Sequence, residues 1–192
     1  YTATEEMTRF GIFIENFNKI QRLNAESEDV KYAVNKFADL TATEFKAIYA
    51  SGAQYENHGK MVASQSLRRN VAALPDTGDW RNKGGVTPVK DQGQCNAGYI
   101  FSAIAALESF NLIKTGKLLT FSEQQVVDCS SPTYGFGCSG GYLKPVANYA
   151  SSFGIELDSD YPYTGKEGLC MYDSSKAYKN KYYFGFIYSS FN

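Results

Sequence analysis

Histidine is almost absent from this chain: His58 is the only one in 192 residues. It lies among glycine, serine and asparagine, where a histidine reads as exposed and without a role. No metal site and no cofactor is expected. Charge of either sign is also missing in excess. The net charge is −1, which implies neither nucleic acid nor an acidic membrane as partner. No apolar run approaches bilayer length, so no membrane span is expected. No leader pattern is visible either, because residues 1–9 are polar and helical in pattern. Cysteine is sparse and even in number: Cys95, Cys129, Cys138 and Cys170. Four cysteines are compatible with two disulfides in any of three pairings, or with four reduced buried thiols. What is present suffices for a core, with 43% hydrophobic residues in a length that fits one mid-sized or two small domains.

The first segment carries a long helical pattern. Glu5, Arg9, Phe13, Asn16, Ile20 and Asn24 recur at intervals of four, four, three, four and four residues. At 3.6 residues per turn they lie on one side of a helix. An ordinary amphipathic helix would explain the spacing, with Phe13, Phe17 and Ile20 as core. The residue types add more, because they match one for one the E-R-F-N-I-N pattern of propeptides in the papain family of cysteine peptidases. Ala33-Val34-Asn35-Lys36-Phe37-Ala38-Asp39 resembles that family's G-x-N-x-F-x-D element, with Ala33 in place of glycine. Thr41 and Glu44 form a capping signal for a following helix. Residues 51–73, with Gly52, Gly59, several Ser and Asn and the pair Arg68-Arg69, read as an extended linker. In the family such a segment runs through the substrate cleft in the non-cleavable direction. Arg68-Arg69 reads as a solvated charge pair rather than a processing site.

The second segment resembles the mature enzyme of the same family. Leu74-Pro75-Asp76-Thr77-Gly78-Asp79-Trp80-Arg81 matches its start. Gln92-Gly93-Gln94-Cys95-Asn96-Ala97-Gly98-Tyr99-Ile100-Phe101-Ser102 resembles the active-site stretch Q-G-x-C-G-S-C-W-A-F-S. Gln92, Gly93, Cys95, Phe101 and Ser102 fit that stretch. Tyr99 is an allowed aromatic, while Asn96, Ala97, Gly98 and Ile100 depart from it. Gly98 falls on the nucleophile, and glycine has no side chain to attack with.

Residues 97–115 repeat apolar positions at helical spacing: Ile100, Ile104 and Leu107, then Ala103, Ala106, Phe110 and Ile113, with Gly116 as the stop. The N-terminus of this helix points at position 98 and leaves backbone N–H groups able to meet an anion. Ser122 and Gln125 read as a capping box for a short helix ending at Asp128. Residues 143–152 form a third helix, closed near Gly154. Gly137-Cys138-Ser139-Gly140-Gly141-Tyr142 resembles the family's G-C-x-G-G-x loop. There the second glycine pairs its backbone with a substrate residue, and the next side chain lines the main specificity pocket. Glycine admits two backbones to close approach. A glycine turn held by a cystine would also explain the loop.

The resemblance implies an α+β, papain-like fold. It consists mainly of the helical left domain, preceded by a helical inhibitory prodomain, with the β-rich right domain largely absent. The implied division is a prodomain over 1–50, a cleft linker over 51–73, and a peptidase-like body over 74–192. The implied pairing is Cys95 with Cys138 and Cys129 with Cys170, which suits a secretory, lysosomal, vacuolar or extracellular compartment. The expected site holds Gln92 as oxyanion donor, Gly98 at the lost nucleophile position, and Gly140, Gly141 and Tyr142 as substrate contacts. The family's catalytic histidine and orienting asparagine lie in the right domain and are not expected here.

Three functions are compatible with this pattern. The first is an inactive homologue used for binding or scaffolding. The second is a genuine cysteine endopeptidase represented by an incomplete or altered chain. The third is a protease inhibitor acting through its prodomain. The expected partners are the chain's own prodomain in the cleft, and a protein or further polypeptide pairing with the aromatic stretch in residues 178–192.

Overall fold

The computed structural model describes residues 2–49, 77–130 and 137–179. The chain forms two compact units, Tyr1–Ser51 and Gly52–Asn192. The expectations for the linker, including His58 and Arg68-Arg69, and for residues 180–192 of the aromatic stretch lie outside the described residues, while Tyr178 at its start bridges Ile155 of the same chain.

Unit 1 is built on α1 (Ala3–Glu26) and α2 (Ala42–Tyr49). Thr2 caps α1 and Glu5 reaches back to the Thr2 backbone, completing a capping box. Thr41 and Glu44 do the same for α2, at 3.2 Å and 2.8 Å. The half-buried residues of α1 include Arg9, Phe13, Asn16, Ile20 and Asn24, the face that the spacing predicts. Phe17, expected in the core, is exposed and stacks on Phe13 at the edge of that face.

The polar members of the face satisfy the backbone of the segment between the helices. Asn16 Nδ2 donates to the carbonyls of Ala38 and Leu40 at 2.8 and 2.9 Å. Asn24 exchanges two hydrogen bonds with the Tyr32 backbone. Arg9 donates to the Asp39 carbonyl at 3.2 Å. Irregular backbone needs such partners wherever water is excluded. Asn35 accepts from the Phe37 amide to shape the turn, and Phe37 packs its ring on Phe45 and Tyr49 at 5.1 and 4.9 Å.

Unit 2 packs α3 (Gly98–Thr115) against α4 (Glu123–Cys129) and α5 (Leu143–Phe153). Gly116 ends α3 with φ +76°, and its N–H returns to the Leu112 carbonyl. That left-handed conformation is the reason for glycine there. Ile100, Ile104, Leu107, Phe121, Val126, Val146 and Ile155 are fully buried between the helices.

Two expectations change here. Ile113 is 55% exposed, whereas Glu108 and Asn111 occupy the buried stripe that continues from Ile100, Ile104 and Leu107. The Ser122 hydroxyl caps α4 by accepting from the Gln125 amide, but the reciprocal half of the box is not made. The Gln125 carboxamide instead bonds Tyr149, Gly154 and Glu156, while the Ser122 amide donates to the Glu156 carbonyl. Among the described residues β pairing is limited to two antiparallel bridges, Phe121 with Leu157 and Ile155 with Tyr178. No helix among them is long and apolar enough to cross a membrane.

Candidate functional site

Gly98 is the first residue of α3, and it is exposed. A Cβ built on it would stand 3.3 Å from Gln92 Oε1, so the two residues assigned to the reacting centre are neighbours. Two features position Gln92. Its carbonyl accepts from the Tyr163 hydroxyl at 2.8 Å and from the Cys95 amide at 3.4 Å. Burial pushes the Tyr163 hydroxyl up to about 12, so it remains a donor at ordinary pH. Tyr163 is itself fixed by an edge-on contact with Phe101 at 5.0 Å. Nothing local to Tyr163 signals this partner, which lies 71 residues away.

The glycine loop is tied to the segment preceding α3. Cys95 joins Cys138, with Cα atoms 4.5 Å apart. The Asn96 amide donates to the Cys138 carbonyl at 3.0 Å. The Tyr99 hydroxyl donates to the Gly137 carbonyl at 3.0 Å. On the other side of the loop, the Glu167 carboxylate accepts from the Cys138 amide at 2.7 Å. The second disulfide joins Cys129 to Cys170, and no cysteine is free.

The reasons for glycine in this loop are local. Gly140 has φ +90°, a conformation that side chains disfavour. Gly141 has the Tyr99 ring in the place of its Cβ, with ring atoms 2.5 to 2.9 Å from where that atom would be. Tyr142, the expected pocket residue, is half-buried at the start of α5.

Beneath this surface lies a charged cluster that the sequence reading missed. Lys90 Nζ lies 2.8 Å from Glu108 and 2.5 Å from Glu123, both almost completely buried. Thr87 and the Phe121 amide also donate to Glu108, at 2.6 and 2.9 Å. At Lys90 burial pulls the ammonium down, but the two carboxylates outweigh it and the net direction is up. At Glu123 burial dominates over the Lys90 attraction, and its carboxyl is held above the usual range. The available signal was a glutamate on the apolar stripe of α3. A second such bridge binds unit 1, where Arg9 meets Glu44 at 2.9 Å. The Arg9 hydrogen bond, with help from Thr41, lowers the Glu44 carboxyl to about 2. No metal-binding cluster of His, Cys, Asp and Glu occurs among the described residues.

Comparison with known proteins accounts for both units. Residues 74–190 match the papain family cysteine protease model, and residues 1–45 match the cathepsin propeptide inhibitor domain. The chain is 39% identical over 166 residues to caricain of Carica papaya, covering 86% of this chain and 47% of caricain. It is 40% identical over 178 residues to vignain of Vigna mungo, covering 90% and 48%. Among solved structures, the proform of the ragweed pollen cysteine protease Amb a 11 matches with a TM-score of 0.77 and 38% identity. That match covers 90% of this chain and 55% of the other. Digestive procathepsin L 3 of Tenebrio molitor larval midgut matches at 0.76 and 34%, covering 93% and 58%. The chain thus spans about half the length of the curated relatives it matches. With a propeptide signature on one unit, a protease signature on the other and proforms as structural neighbours, the chain belongs to the papain family of cysteine proteases.

Proposed function

We propose that this chain is a catalytically inactive, zymogen-form member of its family, which binds rather than cuts. Gly98 carries this reading. The position assigned to the nucleophile opens α3 beside Gln92 and bears no thiol, and all four cysteines of the sequence are held in disulfides. A thiolate is the attacking group in this chemistry. Removing the nucleophile of a comparable serine unit costs on the order of 10⁶ in rate. Gln92 retains the oxyanion-donor role, with the Gly98 amide beside it. Gly140, Gly141 and Tyr142 form the ligand edge.

The prodomain over 1–50, continued by the linker over 51–73, is the first occupant of the cleft on the body over 74–192. Without self-cleavage it stays attached. Two disulfides favour an oxidising compartment, secretory, lysosomal, vacuolar or extracellular. The test is a fluorogenic peptide assay in mild acid with reductant, paired with an active-site thiol label. Neither turnover nor labelling before reduction is expected. Turnover that a covalent thiol-directed inhibitor abolishes would overturn the reading.

A second reading rests on the chain's covering only 55% of the proform of a protein named as a cysteine protease, Amb a 11. In it these residues are part of a longer peptidase with an altered position 98. The intact mass of the protein from its natural source separates the two.

A further inference from the structure

We propose that Tyr99 is the positioning residue of the glycine loop. Its ring and hydroxyl together set where the backbone of Gly140 and Gly141 stands relative to Gly98. Tyr99 follows Gly98 directly in the first turn of α3, so its Cα is fixed by the helix that presents position 98. From there the side chain makes two contacts with one loop. The hydroxyl holds the Gly137 carbonyl at 3.0 Å, at the loop's start. The ring occupies the Cβ side of Gly141, at its end. Both contacts are needed to define a position. A hydrogen bond alone fixes a distance and leaves the loop free to rotate about it. A ring face alone sets a stop that the loop can lift away from.

The other restraints act between these two points or across from them. Cys138 is held by Cys95, the Asn96 amide and Glu167, whereas the side chain that stands against Gly141 is Tyr99. Glycine flanking permits the close fit and also supplies the mobility that the ring suppresses. The hydroxyl contributes what a plain phenyl ring in the same place cannot, a donor for an otherwise turn-end carbonyl.

This inference rests on the proposed reading of residues 140–142 as a ligand edge only for its consequence, namely that Tyr99 tunes what the edge accepts. Amide hydrogen exchange on the full chain, with disulfides intact, tests it directly. Tyr99→Phe is expected to speed exchange across 137–142 by roughly 2- to 10-fold, the worth of one net hydrogen bond. Exchange in α4 and α5 and the unfolding temperature should stay nearly unchanged. Gly141→Ala is expected to loosen the same amides. Combining it with Tyr99→Ala should make Gly141→Ala less disruptive than in the native background, because the ring it collides with is gone. Unchanged exchange in Tyr99→Phe, a uniform rise across the whole of unit 2, or additive effects of Gly141→Ala and Tyr99→Ala would each overturn the proposal. Peptide turnover by the native chain would instead sink the inactive reading while leaving these outcomes as they stand.

Discussion

Replacing Lys90 with methionine should destabilise unit 2 in a way that depends on pH. The native ammonium sits between Glu108 and Glu123, whose side chains are 0% and 2% exposed, and is itself 22% exposed. Methionine preserves most of the aliphatic stem and removes the charge. Two buried carboxylates then face each other without their cation. Breaking a buried pair in this way costs about 3–5 kcal/mol, and the partial exposure of Lys90 places the expected loss at about 3 kcal/mol at pH 7. For a unit of this size that is a fall of roughly 6–12 °C in unfolding temperature.

The pH dependence follows from proton linkage. The Glu123 carboxyl is already raised in the native fold by burial, and losing Lys90 raises it further. A raised carboxyl means that the folded variant holds a proton that the unfolded chain has released. Its stability therefore falls as pH rises from the ordinary glutamate range through the raised value. The deficit should be large at pH 7 and shrink near pH 4, where a proton replaces the lost ammonium. Thermal unfolding followed by circular dichroism, with disulfides intact, measures it. A loss below about 1 kcal/mol, or one equal at pH 4 and pH 7, would refute the reasoning and reduce Lys90 to a packing residue.

Two further outcomes are expected. In unit 1 the Arg9 contact holds Glu44 at about 2, so its contribution is present above the ordinary glutamate value and lost as pH falls towards 2. Glu44→Gln should lower stability at pH 7 and flatten that acid decline, and an unaltered acid profile in helicity would contradict it. Gly98→Cys places a thiol at the N-terminus of α3, where the helix dipole favours the thiolate. It should alkylate faster than free cysteine yet give no peptide turnover in this 192-residue chain, whose one histidine is His58. Substantial turnover would show that another group serves as base.

The readable parts of this chain were those decided within a few residues. Thr41 with Glu44, and Gly116 after α3, are local choices of cap and stop, and both helices begin or end where those residues stand. The face of α1 was readable because residue type and spacing coincide, with Asn16 and Asn24 meeting carbonyls rather than merely lying on a stripe. The disulfide pairing came from family resemblance, since three pairings satisfied the sequence. Local rules failed where a distant partner competed for the same atoms. The Gln125 carboxamide abandons the capping box because Tyr149, Gly154 and Glu156, 24 to 31 residues away, offer buried bonds instead. Glu108 can sit in the core because Lys90, 18 residues earlier, arrives beside it, with Thr87 and the Phe121 amide as further donors. Tyr163 reaches Gln92 across 71 residues.

On the proposed reading of position 98, the same separation explains how a nucleophile can be lost without loss of the fold. Tyr163, Cys95, Asn96, Tyr99 and Glu167 support Gln92 and the glycine loop, and none of these contacts comes from position 98. Gly98 is exposed, and among the described residues a Cβ there would meet Gln92. Removing a side chain from such an exposed place leaves no cavity in the core, one of the mechanisms by which single changes become costly. What remains is a small penalty for glycine near a helix N-terminus, where propensity matters less than in the interior. The geometry around the site therefore rests on packing that does not involve position 98, which is what the proposed binding role requires.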